Sequence, residues 1–136
     1  MKSIKIILVL SISVLSISCT STQKKTTELE SIVELIGTNE FGQLDNSTQL
    51  IDVRTPEEYS EGYIKHAKNV NFFDENFMEL MAELSKDEAL YIYCKAGGRS
   101  AKAAEKLKEA GFTKVYDLDG GMAQWQDEGK VITQNK

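Results

Sequence analysis

The chain has 136 residues, of which 41% are hydrophobic and 27% charged, a balance typical of one soluble globular domain and not of disordered, collagen-like or polytopic membrane proteins. The formal net charge is −5, and both charged residues of the first eighteen are lysines, so the remaining chain is more acidic still. Such a surface repels phosphate backbones, which argues against a nucleic-acid partner.

The first residues have the order of a secretory signal peptide, because two lysines precede an apolar run with interleaved serines. That run is shorter than the roughly 20 residues of a membrane-spanning helix. The segment Leu15-Ser-Ile-Ser-Cys19 resembles the cleavage box of bacterial lipoproteins, although Ser16 stands where an aliphatic residue is usual. The resemblance implies that Cys19 becomes a lipidated N-terminus; the alternative is an ordinary signal peptide that contains a cysteine.

The residues after Cys19 are polar, and residues 20–27 contain no apolar side chain that a core would bury. They are typical of a flexible tether. We therefore expect a signal peptide in residues 1–18, a tether in 19–28 and one folded domain in 29–136. The protein is expected to be exported and held to a membrane by its lipid, on the periplasmic or cell-surface side.

The body of the chain alternates strand and helix patterns. Short apolar runs at 49–53, 89–94 and 114–118 are typical of buried parallel strands. Residues 77–84 have helical spacing of apolar side chains and follow a possible cap at Asp74. Residues 100–110 have the same spacing and end at Gly111. A short helix is expected to begin at Thr55 and Pro56. Residues 32–36 fit a helix or an edge strand equally well. This alternation predicts an α/β fold with an open, mainly parallel sheet and helices on both faces.

Cys94 is the strongest candidate for chemistry. It ends a predicted buried strand, and Lys95-Ala96-Gly97-Gly98-Arg99 leads from it into a helix. The two glycines allow consecutive N–H groups to point inward as an anion cradle at the helix N-terminus. Such a cradle, with Lys95 and Arg99 nearby, favours thiolate over thiol and lowers the pKa of the cysteine. The alternative is a buried structural cysteine, a common role of this residue.

Three motifs resemble the rhodanese domain, a single-cysteine sulfurtransferase. The first lies in residues 50–70, the second is the loop Cys94–Ser100, and the third is Leu118-Asp-Gly-Gly121 followed by Trp125. Two positions depart from the pattern: Tyr63 stands where histidine is usual, and His66 stands where glycine or asparagine is common. The resemblance favours a strand over 32–36 and a helix starting at Thr38.

The resemblance also implies the reaction. Cys94 would take the outer sulfur of a donor such as thiosulfate and pass it from a persulfide to a thiol acceptor, with no metal and no cofactor. Main-chain N–H groups from Lys95 to Ser100 would bind the sulfur. Related phosphatases have five residues between cysteine and arginine, whereas this loop has four, a tighter loop that resembles those holding a persulfide.

The remaining candidates are supporting residues. Asp52 ends a strand and is expected to order the neighbouring loops. Arg54 is expected to form an ion pair with Glu58, four residues on; the alternative is that Arg54 contacts the substrate. His66 is interpreted as a partly exposed loop residue. We expect a monomer. A membrane-tethered sulfur carrier with little turnover is the alternative function; a thiol redox protein is disfavoured because the predicted mature domain lacks a second thiol near Cys94.

Overall fold

The computed structural model describes residues 32–134, which lie within the predicted domain 29–136. The predicted signal peptide in 1–18, the lipidation site Cys19 and the tether in 19–28 lie outside the described residues. Strands and helices alternate along the described chain as β1 (Ile32–Ile36), α1 (Thr38–Phe41), β2 (Gln49–Asp52), α2 (Pro56–Ser60), β3 (Lys68–Asn69), α3 (Phe77–Met81), β4 (Leu90–Tyr93), α4 (Gly98–Glu109), β5 (Lys114–Leu118) and α5 (Gly121–Asp127).

The strands form one parallel sheet in the order β1-β5-β4-β2-β3. Asp52 at the end of β2 is in register with Tyr93 at the end of β4, and Ile92 is in register with Asp117 of β5. The carboxyl ends of these strands therefore meet at one edge of the sheet, which is where open α/β folds place their sites. The predicted α/β class is confirmed.

Side chains that alternate along the strands build a core on each face of the sheet. Ile92 packs with residues of α3 and α4 on one face, whereas its neighbour Tyr93 packs with residues of α1 and α5 on the other. The predicted helices on both faces are thus confirmed. Within residues 32–134, no helix is both long and apolar enough to cross a bilayer.

The ambiguous segment Ile32–Ile36 is a strand, as the family resemblance favours. Each of its residues is in register with one of β5, and helix α1 then begins at Thr38, also as expected. As an edge strand, β1 leaves apolar side chains in solvent, with Leu35 63% exposed. The helical spacing in this segment was therefore not a sign of helix.

Two of the three predicted helix boundaries are confirmed. Helix α2 is capped by Thr55 with Pro56 in its first turn, and Gly111 lies just beyond α4 with a φ of 92°. The cap predicted at Asp74 is wrong, because Asn76 precedes α3 and the Asp74 carboxylate accepts a hydrogen bond from Asn71 at 2.7 Å. Helix α3 is also shorter than its apolar spacing suggests.

Candidate active site

Cys94 lies between β4 and α4 at the carboxyl edge of the sheet and is 1% exposed. Gly97, which precedes the helix, has a φ of 93°, a left-handed conformation that side-chain-bearing residues rarely adopt. This reversal turns the loop back over the cysteine so that its N–H groups face the sulfur. The loop predicted from the two glycines therefore closes around Cys94.

Hydrogen-bond donors surround the Cys94 sulfur. The Gly97 N–H donates to Sγ at 3.1 Å, and the Ser100 Oγ lies 3.4 Å from Sγ. Burial raises the pKa of the Cys94 thiol, but the Ser100 hydroxyl and the N–H groups of Ser100, Ala96 and Arg99 together outweigh burial and lower the pKa. The Ser100 hydroxyl and the backbone N–H groups of the loop thus stabilise the thiolate form of the buried Cys94.

The N-terminus of α5 holds the loop from behind. The Met122 N–H donates to the Cys94 carbonyl and the Ala123 N–H donates to the Lys95 carbonyl, both at 2.9 Å. Gly121 permits this approach, since a Cβ on it would lie 2.6 Å from the Cys94 carbonyl oxygen. The carbonyl groups of Cys94 and Lys95 are thereby bonded to the first turn of α5.

Arg99 is held by Glu58 and does not offer an unpaired charge. Its two terminal nitrogens contact the two Glu58 carboxylate oxygens at 2.6 and 2.8 Å, and its guanidinium lies over the Phe73 ring at 5.7 Å. The hydrogen bonds from Arg99 lower the pKa of Glu58 to about 2. Glu58 also completes the capping box of α2, so it joins that helix to the start of α4.

The expected ion pair between Arg54 and Glu58 is therefore wrong. Arg54 turns back to the buried Asp52, with Nη2 2.6 Å from Oδ2, and also donates to the Gly62 carbonyl at 2.7 Å. The reason is that Thr55 between them is extended, with a ψ of 158°, so a spacing of four does not place the two side chains on one helical face. Asp52 also accepts the Arg54 N–H at 2.9 Å.

The structure thus brings Lys95–Ser100 around the sulfur and places Asp52 and Arg54 at the end of the adjacent strand, bonded to each other. A depression of about 420 Å³ opens in front of Cys94. Exposed Lys95 and Lys102 and the 65% exposed ring of Phe73 line it. An anionic substrate entering here meets two lysines whose ammonium groups lie at the surface.

The two positions that depart from the family pattern lie outside this loop. Tyr63 exchanges both main-chain hydrogen bonds with Thr133 and stacks on Tyr59 at 4.2 Å. His66 is exposed with a φ of 70°, which explains why glycine or asparagine is usual at such a position. The interpretation of His66 as a loop residue is confirmed.

Sequence reasoning missed three residues near the loop. Glu58 was assigned to the wrong arginine, Gly121 was seen only as part of a motif, and Asp117, a buried carboxyl group of β5, was not singled out. Only the paired glycines at 120–121 gave a local signal, since a glycine pair before a helix permits close backbone approach. Among residues 32–134, no group of His, Cys, Asp and Glu side chains is arranged to hold a metal ion.

Comparison with known proteins adds the family context. The profile of the rhodanese-like domain matches residues 38–128. The chain is 36% identical over 81 residues to the thiosulfate sulfurtransferase GlpE of Shewanella oneidensis, covering 60% of this chain and 78% of that protein. A rhodanese-like domain protein from Staphylococcus aureus is similar in structure, with a TM-score of 0.64, 33% identity, and coverage of 76% of this chain and 99% of that one.

A third similar protein is the polysulfide-sulfur transferase homodimer of Wolinella succinogenes. Its solution structure matches with a TM-score of 0.62 and 27% identity, over 76% of this chain and 80% of that one.

Proposed function

The chain belongs to the rhodanese-like domain family, and from this membership we propose that it is a sulfurtransferase that carries sulfur as a persulfide on Cys94. The observation that carries the proposal is the ring of N–H donors around a buried sulfur whose pKa is lowered. Relatives of the chain include a thiosulfate sulfurtransferase and a polysulfide-sulfur transferase.

In the first half-reaction the Cys94 thiolate attacks the outer sulfur of thiosulfate. A bond forms between the two sulfurs, the sulfur–sulfur bond of thiosulfate breaks, and sulfite leaves with the electron pair. The enzyme is left as an anionic persulfide. The N–H groups that stabilise the thiolate also stabilise this anion, because it occupies the same positive environment.

In the second half-reaction an acceptor thiolate, or cyanide in an assay, attacks the outer sulfur of the persulfide. The acceptor gains the sulfur, the bond to Cys94 breaks, and the Cys94 thiolate returns without any change in the number of electrons. The depression in front of Cys94 provides access for donor and acceptor in turn.

Mass spectrometry after thiosulfate treatment tests this proposal. We expect a gain of one sulfur atom, about 32 Da, on the peptide that contains Cys94, because only the thiolate accepts sulfur. Replacement by the isosteric Cys94→Ser should abolish both the adduct and thiocyanate formation while the melting curve stays unchanged. Substantial turnover by a folded Cys94→Ser protein would refute the proposal. Formation of the adduct without turnover would favour the sulfur-carrier alternative.

We further propose that Cys19 is lipidated, so that the domain works at a membrane surface on the exported side. The cleavage-box resemblance at Leu15–Cys19 supports this. Radioactive fatty acid should label the wild-type protein but not Cys19→Ala, and the variant should leave the detergent phase or accumulate as a precursor. A wild-type protein without label would leave a cleaved signal peptide as the better interpretation.

A further inference from the structure

An exposed aromatic side chain lies at the mouth of the active site. Phe73 is 65% exposed and lines the same depression as Cys94. Among the exposed large apolar side chains of residues 32–134, it is the only one that lines this depression. A single exposed apolar side chain is ordinary on a protein surface, so its meaning depends on how it is held and on what binds beside it.

The backbone of the segment that carries Phe73 is tied to the sheet. The Phe72 N–H donates to the carbonyl oxygen of Val53, just after β2, at 3.1 Å. The Phe73 N–H donates to the Asn71 Oδ1 at 3.2 Å, and the Asn71 amide in turn donates to the Asp74 carboxylate at 2.7 Å. These bonds fix the segment at the carboxyl edge of the sheet, where the active site lies.

The ring of Phe73 is also held by its neighbours. The Phe72 ring meets it edge to face at 5.7 Å, and the Arg99 guanidinium lies over it at 5.7 Å. Both neighbours are themselves held, since Lys106 lies over the Phe72 ring at 5.5 Å and Glu58 binds Arg99. A ring that is ordered before a ligand arrives loses little conformational freedom on binding, which favours affinity.

The sulfur donor does not account for this ring. Thiosulfate is a small, hydrated anion that gains from the N–H groups of the loop and from Lys95 and Lys102, but has no apolar surface to bury. Burial against Phe73 is favourable only for a molecule with an apolar group of its own. The second half-reaction brings a different molecule to the same depression, the acceptor thiol. The exposed ring is therefore a surface for the acceptor.

We propose that Phe73 is a specificity-determining residue of the second half-reaction. It selects acceptor thiols that carry an aromatic or other large apolar group close to the sulfur, and Lys102, which is exposed in the same depression, selects an anionic group on the same molecule. Ring-to-ring contact and attraction of an anion are compatible here, because lysines present an alkyl stem beside the ring and an ammonium group in water.

The inference rests on the proposed function, in which Cys94 carries the persulfide. The acceptor thiolate attacks the outer sulfur and forms a sulfur–sulfur bond with it. The bond between the outer sulfur and Cys94 Sγ breaks, and its electron pair stays on Sγ as the thiolate. The acceptor leaves as a persulfide, and the total charge does not change. Phe73 contacts the acceptor and takes no part in these bonds.

The test is a single round of sulfur transfer from the full chain, loaded with thiosulfate and then freed of excess donor. Two small thiols serve as acceptors at equal thiolate concentration: 4-(mercaptomethyl)benzoate has a ring and a carboxylate, whereas 3-mercaptopropionate has a carboxylate only. Mass spectrometry of the Cys94 peptide measures the rate at which the extra sulfur is lost. We expect the wild type to transfer sulfur faster to the aromatic thiol.

Phe73→Ala should slow transfer to 4-(mercaptomethyl)benzoate about tenfold, as expected for loss of one aromatic contact, and leave transfer to 3-mercaptopropionate unchanged. Phe73→Tyr retains the ring and should keep the wild-type preference. Val131→Ala is the matched control, because it removes an apolar side chain that is 82% exposed and lies outside the depression; it should change neither rate.

The selection of an anionic group has its own comparison. Lys102→Ala should slow transfer to 4-(mercaptomethyl)benzoate several-fold and leave transfer to the neutral benzyl mercaptan unchanged. An equal loss with both aromatic thiols would overturn this part of the proposal. If Phe73 only held Arg99 and the loop in place, Phe73→Ala would slow all acceptors equally, and that result would overturn its role in selection.

The loading step separates this inference from the proposed function. A wild type that loads sulfur on Cys94 but transfers it equally fast to both carboxylate thiols would refute the inference alone. A wild type that takes up no sulfur from thiosulfate would refute the proposed function, and the inference with it.

Discussion

The contact between Gly121 and the active-site loop makes a quantitative prediction for Gly121→Ala. Gly121 has a φ of 59°, and an added Cβ would lie 2.6 Å from the Cys94 carbonyl oxygen and 2.9 Å from the Lys95 carbonyl oxygen. A left-handed alanine costs about 1–2 kcal/mol. Both close atoms belong to the backbone, so the loop and α5 must separate, which loses two hydrogen bonds of about 1 kcal/mol each. We expect Gly121→Ala to lower the free energy of unfolding by about 3–4 kcal/mol in total.

The matched control is Gly111→Ala. Gly111 also has a positive φ, 92°, but an added Cβ would meet no atom within 4 Å, so only the conformational cost of about 1–2 kcal/mol applies. Urea unfolding measures the loss of stability in each variant. Persulfide formation, at a temperature where both variants are folded, measures whether the active-site loop still functions. Gly111→Ala should load sulfur normally, whereas Gly121→Ala should load it poorly. Equal losses of stability with full sulfur loading in both variants would refute the reasoning.

Two further substitutions test the charges at the mouth of the site. Lys95→Ala should raise the KM for thiosulfate several-fold, which corresponds to about 1 kcal/mol for one exposed contact, and should raise the KM for a neutral donor much less. Lys108→Ala, at the far end of α4, is the control and should change neither KM. Equal effects of Lys95→Ala on both donors would contradict the selection of anions. Glu58→Gln should lower the free energy of unfolding by about 1 kcal/mol at pH 7. Glu57→Gln is the control and should leave it unchanged. Pairing with Arg99 lowers the pKa of Glu58 to about 2. The difference in unfolding free energy between the wild type and Glu58→Gln should therefore be present above pH 4.5 and disappear toward pH 2. A difference that persists at pH 2 would contradict the assignment of this ion pair.

The elements that depend on local pattern could be predicted from the sequence. Strand β5 begins and ends as its apolar run predicts, and α4 ends before Gly111 because a glycine there adopts the left-handed conformation. The loop after Cys94 was also recognisable, since strand, cysteine, paired glycines and helix follow each other directly in the chain. These signals lie within a few residues of the feature they specify.

The features that depend on distant segments could not be predicted. Local spacing left β1 undecided, because its identity as a strand comes from pairing with β5, more than seventy residues away. Glu58 was paired with Arg54 by sequence distance, whereas the fold brings it to Arg99 across 41 residues. Asp117 looks like an ordinary strand residue until α4 is placed over it. In each case tertiary packing selected the partner.

The positive charge at this site has two sources with different sensitivity to salt. The N–H groups that lower the Cys94 pKa lie within the loop, around a residue that is 1% exposed, and dissolved salt screens buried interactions much less than exposed ones. Lys95 and Lys102 are exposed, and exposed charges are screened over about 8–10 Å at moderate salt. Raising the ionic strength should therefore weaken the selection of anionic donors and leave the pH dependence of Cys94 alkylation by iodoacetamide unchanged. A profile that shifts with salt as much as the KM for thiosulfate does would show that the lysines, and not the loop, set the reactivity of the thiol.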